Sequence, residues 1–197
     1  MGNPVIIIES DGSRIESWYN GDDRLHREDG PARIYYSKEG SIIGKIWYVC
    51  DRVHRIDGPA EIYLNDDDGT LFSEVWRVEG KMHRVDGPAR IEYRKDGTRA
   101  CEVWCVCGEK HRIDGPAVIN YDKYGMVEME EWYERGKEHR IGAPATINYY
   151  RDGKISCAQW YEEGKAHRDG APAYVEYDKN GGVVREMWYE NGKRLPR

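Results

Sequence analysis

The residues of this chain best suited to chemistry sit in one phrase repeated six times, His-Arg-x-Asp-Gly-Pro-Ala in its fullest form. His26, His54, His83, His111, His139 and His167 are all the histidines present, at spacings of 28 or 29 residues. Each is followed by an arginine: Arg27, Arg55, Arg84, Arg112, Arg140 and Arg168. Asp29, Asp57, Asp86 and Asp114 complete the motif in the first four copies. A histidine near an aspartate is an acid–base pair in principle, and histidine with cysteine or aspartate can hold zinc. A row of arginines can bind phosphate or an acidic partner.

Each of these chemistries meets an obstacle. No serine or cysteine accompanies the phrase from copy to copy, and an active site is normally singular. His167-Arg168-Asp169 spells the opening of a kinase catalytic loop, but Tyr174 stands where that loop needs asparagine, and no glycine-rich loop exists. The copies at Ile141-Gly142-Ala143 and Asp169-Gly170-Ala171 lose Asp and Gly at the usual places, so the aspartate reads as a connector residue that accepts hydrogen bonds from backbone and from His. Equivalent histidines are expected ~9–10 Å apart, two strand spacings, too far to share a zinc ion bound at ~2.0–2.1 Å. Cys101, Cys105 and Cys107 are expected on one strand face near His111, where a flat strand cannot wrap three sulfurs around an ion. Small apolar fillers are the better reading. No metal, cofactor or catalytic residue is therefore expected.

The elements that position the phrase are legible. Tryptophans at 18, 47, 76, 104, 132, 160 and 188 keep the same period, which marks a repeat array whose units must stack to bury a core. After each Gly-Pro or Ala-Pro comes an Ala-x-Ile-x-Tyr segment, such as Ala89/Ile91/Tyr93 or Ala145/Ile147/Tyr149. This alternation predicts a strand with one face packed. The interleaved positions vary (Arg33, Glu61, Arg90, Val118, Thr146, Tyr174) and are expected to face solvent or a partner. Glycine turns follow, with Asp96-Gly97, Asp152-Gly153 and Asn180-Gly181 as hairpin signals, and a second strand runs into Trp. Val5–Ile8 opens a first hairpin without a connector, and Leu195 stands where a seventh histidine would fall.

The predicted fold is all-β: an elongated, single-layer antiparallel meander of about seven hairpins with almost no helix. The hairpins are expected at about 4–20, 31–50, 59–80, 88–108, 116–136, 144–164 and 172–192, within one repeat domain spanning 1–197. At ~4.8 Å per strand its length is ~65 Å. Composition is 34% charged with a net charge of −6, which argues against general nucleic-acid binding. No run approaches the ~20 apolar residues of a membrane span and no leader is evident, so a cytoplasmic protein is expected. Cys50 pairs by position with Cys107, and Cys101 with Cys157, but each pair lies two units apart, so reduced thiols are expected.

Trp132-Tyr133-Glu134-Arg135-Gly136-Lys137-Glu138-His139 resembles the hairpin strand and exit turn of MORN repeats, in the variant form of bacteria and large DNA viruses. The resemblance covers essentially residues 4–195. This unit is longer than the usual family repeat, and its connector replaces a shorter His-Gly-x-Gly. The resemblance implies an open single-layer sheet, a non-enzymatic interaction scaffold and, if the chain is viral, the host cytoplasm. Within it, protein binding is expected through Arg27, Arg55, Arg84, Arg112, Arg140 and Arg168 with Tyr19, Tyr48, Tyr133 and Tyr161. Self-association through terminal edge strands, Val5–Ile8 above all, is a further expectation. The alternative is peripheral binding of anionic phospholipid headgroups. The arginines are also expected to stack on Trp or Tyr and to pair with the acidic residue two before Trp (Glu16, Glu74, Glu102, Glu130, Glu186).

Overall fold

The computed structural model describes residues 3–196. Among these no helix occurs, and none long and apolar enough to cross a membrane. The strands are β1 Val5–Ile8, β2 Arg14–Ser17, β3 Arg33–Tyr36, β4 Ile42–Ile46, β5 Glu61–Leu64, β6 Leu71–Val75, β7 Arg90–Tyr93, β8 Arg99–Val103, β9 Val118–Tyr121, β10 Val127–Glu131, β11 Thr146–Tyr149, β12 Ile155–Gln159, β13 Tyr174–Tyr177 and β14 Val183–Met187. They form a 14-stranded antiparallel meander in which sheet order is chain order. The chain divides into two compact units, Met1–Arg99 and Ala100–Arg197.

In the first unit, β2 pairs with β3 through Glu16 opposite Ile34, and β4 with β5 through Lys45 opposite Ile62. In the second, β10 pairs with β11 through Glu130 opposite Ile147, and β12 with β13 through Ala158 opposite Val175. The Ala-x-Ile side packs as its pattern requires: Ala32, Ala60, Ala89, Ala117, Ala145 and Ala173 are fully buried, with Ile91, Ile147 and Val175 close behind. The hairpin glycines take the positive φ their turns demand, as at Gly97 (82°) and Gly153 (81°). Strands β4, β6, β10, β12 and β14 carry a one-residue bulge, for example where the register shifts between Asn148 and Tyr149.

The sequence reading missed one set of elements. The sheet strands stop before Trp, and the chain then makes a second, two-residue hairpin. Tyr133–Glu134 pairs with Lys137–Glu138, and Tyr161–Glu162 with Lys165–Ala166. Its tight turn needs positive φ at both central residues. Arg135 (49°) and Gly136 (76°) supply it, while Cys50 and Asp51 manage it without glycine (48° and 65°).

These small hairpins correct the expectation for the variable positions. Glu61, Val118 and Thr146 are buried, whereas Arg90 stays exposed. Glu61 is ion-paired with Arg77 of the small hairpin after Trp76 and accepts a 2.7 Å hydrogen bond from Tyr63. Thr146 donates to Glu138 at 3.1 Å. The variable face is therefore partly an interior, and repeat three carries Trp76-Arg77 because Arg77 must answer Glu61.

The hairpin turns add a carboxylate device. Asp11, Asp68, Asp96 and Asp152 accept hydrogen bonds from the residue two further on. Those bonds hold each carboxyl below the ordinary 3.8. A depressed folded-state pKa stabilises above the unfolded value and is lost as pH falls through the folded one. The thermal midpoint should therefore hold steady down to about pH 4 and drop below it. A circular-dichroism melt series across that window checks this, and a flat midpoint down to strong acid would contradict it.

Candidate binding surface at the connectors

Each connector is closed on itself by its own tryptophan. The backbone N–H of Trp47 donates to the Ala60 carbonyl at 2.9 Å, and His54 N–H donates back to the Trp47 carbonyl at 3.0 Å. The same two bonds recur from Trp18 to Trp160, and Leu195 replaces histidine in the bond to the Trp188 carbonyl at 2.8 Å. Over this frame the connector arginine lies over the indole ring. Arg27, Arg55, Arg84, Arg112, Arg140 and Arg168 hold their guanidinium carbons 3.8–4.2 Å from the ring centres of Trp18, Trp47, Trp76, Trp104, Trp132 and Trp160. Each also donates from Nη1 to the carbonyl of the proline four residues on, at 3.2–3.5 Å.

The connector aspartates do less than expected. Asp29, Asp57, Asp86 and Asp114 pair with the Nε of their own arginine at 2.8–3.4 Å and are largely exposed. The arginine, not the aspartate, ties the connector backbone together. Arg140 and Arg168 keep both their stack and their proline bond where Gly142 and Gly170 replace the aspartate.

The histidines are clips between successive units. Nδ1 of His54 accepts the backbone N–H of Glu79 at 3.1 Å, His111 that of Arg135 at 3.3 Å, His139 that of Glu163 at 3.2 Å and His167 that of Asn191 at 3.3 Å. Each donor is the first residue of the next small hairpin's turn. His26 is the exception, its Nδ1 buried without a partner. His83 shares the motif and also has a partner.

The acidic residues before Trp pair with tyrosine rather than with the connector arginines, and Glu16 also pairs with Arg14 at 3.4 Å. Glu16 accepts from Tyr36 at 2.9 Å, Glu74 from Tyr93 at 2.8 Å, Glu102 from Tyr121 at 3.1 Å and Glu130 from Tyr149 at 2.6 Å. Burial, reinforced by the carboxylate, raises the Tyr36 and Tyr149 phenols above their ordinary value. Of the other tyrosines, Tyr19 is exposed, while Tyr48, Tyr133 and Tyr161 are half-buried, with phenols raised mainly by burial. None of the five cysteines is in a disulfide. Cys101 lies in β8, Cys105 is buried after Trp104, and Cys107 sits in the left-handed turn (53°), so they do not share one strand face. Among the described residues no three His, Cys, Asp or Glu side chains gather to hold a metal ion.

One surface feature escaped the sequence reading. In four of the six connectors the residue after the arginine is a bare aliphatic: Ile56 and Val85 in the first unit are each 84% exposed, and Ile113 and Ile141 in the second are 91% and 83% exposed. Four β-branched side chains in an otherwise polar loop were the available signal. In the second unit Ile113 and Ile141 flank an open groove of ≈ 710 Å³ that also includes Trp132, Tyr133, His111, His139, Arg112 and Arg140, with Glu109, Glu134 and Arg135 among its polar lining.

No family model matches this chain, and no curated protein matches it. Among solved structures, an alternansucrase in complex with isomaltononaose is similar at 14% identity and a TM-score of 0.17, covering 86% of this chain and 15% of its own. A likeness that low carries no argument about fold or function.

The connector geometry predicts a coupling between neighbours. A Cβ on Gly115 would come within 2.9 Å of the Arg112 guanidinium carbon, whereas the Arg140 connector carries Gly142-Ala143 and still stacks. Gly115→Ala alone should destabilise by about 1–2 kcal/mol, and Asp114→Gly added to it should restore most of the loss. Urea unfolding of the two variants checks this; a double variant no better than the single would contradict it.

Proposed function

We propose that this chain is a non-enzymatic scaffold, of the MORN-like kind its sequence resembles, and that it binds another protein along its connectors. The observation that carries this reading is the exposure of Ile56, Val85, Ile113 and Ile141. An aliphatic side chain held that far into water contributes almost nothing to its own fold, and where such side chains join an apolar patch rimmed by polar residues the patch marks an interaction surface. Ile113 and Ile141 stand ~9–10 Å apart if set by two strand spacings, and the groove they flank includes Trp132 and Tyr133. Aromatic anchors with a polar rim are the usual make-up of a protein interface.

Two further observations support the reading against its rivals. The Nδ1 lone pairs of His54, His111, His139 and His167 are occupied by backbone N–H groups, which speaks for structural histidines rather than general bases. The connector guanidiniums are occupied by indole and proline carbonyl, which weakens them as a ladder for anionic headgroups.

The test compares the intact chain with Ile113→Asp/Ile141→Asp in affinity capture, alongside sedimentation with phosphatidylserine vesicles at low and high salt. A partner should be retained by the intact chain and lost by the variant, with the melting temperature of the two within a few degrees. Salt-sensitive pelleting with vesicles, unaffected by the variant, would overturn the protein reading in favour of lipid.

A further inference from the structure

We infer that β1 is a self-association strand, and that two copies of this chain pair β1 against β1, antiparallel, about a two-fold axis. This rests on the reading of the chain as an interaction scaffold but uses a different surface from the connectors. Strand β1 stands at one end of the sheet order and pairs with β2 on one side. Val5, Ile6, Ile7 and Ile8 are 52%, 53%, 47% and 72% exposed, on both faces of the strand. At the position matching Ile6, Ile91, Ile147 and Val175 are buried, because the preceding hairpin lies alongside them. The strand also lacks the devices that keep edges apart, since it holds no charge, no internal proline and no bulge.

The occupant is chosen by charge. Antiparallel pairing of β1 with itself about a two-fold axis sets Ile6 opposite itself and Val5 opposite Ile7, so no charged group loses water. The competing neighbour is β14 at the other end of the sheet order. In the register of the interior pairs it would place Glu186 against Ile6 and Arg185 against Ile7. Interior glutamates at that position are held by a tyrosine hydroxyl, as Glu74 is by Tyr93 and Glu130 by Tyr149. Strand β1 offers Ile8 instead, and an unpaired carboxylate is costly to cover. The two-fold arrangement is closed, so assembly stops at two chains. A four-residue ladder falls short of the ~1,200–2,000 Å² of a standard interface, so the dimer should be weak and concentration-dependent.

Sedimentation equilibrium of the full chain, from low-micromolar to near-millimolar concentration, tests this. The mass should rise from one chain to two and stop there. Ile8→Lys should raise the dissociation constant at least about tenfold, as should Ile6→Lys, while Val184→Lys on β14 leaves it unchanged. Ile8, the most exposed of the four, keeps the test valid if Ile6→Lys unfolds. A chain that stays monomeric throughout, or a dimer indifferent to Ile8→Lys, would overturn the inference. So would growth past two chains that Val184→Lys abolishes. Ile113→Asp/Ile141→Asp should still dimerise, so failure of connector binding and failure of β1 pairing are read separately.

Discussion

The stack of a guanidinium on an indole is the contact on which each unit depends. A single sheet has no second layer to bury its hydrophobic face, and a unit of 28 or 29 residues is too short to build one. The chain meets that constraint by looping from Trp to the next Ala and laying Arg across the loop. The loop then closes from its own sequence: Trp bonds to Ala, His bonds back to Trp, and Arg spans from the ring to the proline carbonyl. Because every one of these partners lies within 14 residues of the others, the closure is local, and it sets where the following strand begins.

The longer-range order follows from that placement. With Trp fixed, the strand before it presents its glutamate to the tyrosine of the next hairpin, a bond made four times. With the small hairpin fixed, its first turn residue presents a backbone N–H to the histidine of the preceding unit. Departures from the repeat obey the same logic. Lys45 faces the strand bearing Leu64, and Ala158 the strand bearing Tyr177, and neither pair can form the carboxylate–hydroxyl bond. Arg77 replaces tyrosine where Glu61 needs a cation.

The main sheet was readable because its two signals are strong and local: alternation of Ala, Ile and Tyr, and glycine where φ must be positive. A stack of Arg on a neighbouring Trp or Tyr was readable from their shared period, but that the ring is Trp was not. The small hairpins were not, since two-residue strands show no alternation, and a left-handed Arg135 or Cys107 looks like any other residue in sequence. The burial of Glu61 and Thr146 was hidden for the same reason, because the elements that cover them were hidden. Histidine was legible as structural, but its partner lies 24 or 25 residues away, beyond any local pattern. The exposed aliphatics were visible in the sequence as Ile56, Val85, Ile113 and Ile141. What concealed them was their place beside Glu28 and Asp169 in the equivalent slot, which made the position read as arbitrary.

The most direct test is a double-mutant cycle on Arg140 and Trp132, a pair with no aspartate to confuse the result. Urea unfolding of Arg140→Met, Trp132→Leu and the double variant isolates their interaction energy. The stack predicts coupling of about 1 kcal/mol or more, in the range of a partly desolvated cation–π contact. Additive losses, with no coupling between the two positions, would contradict the account.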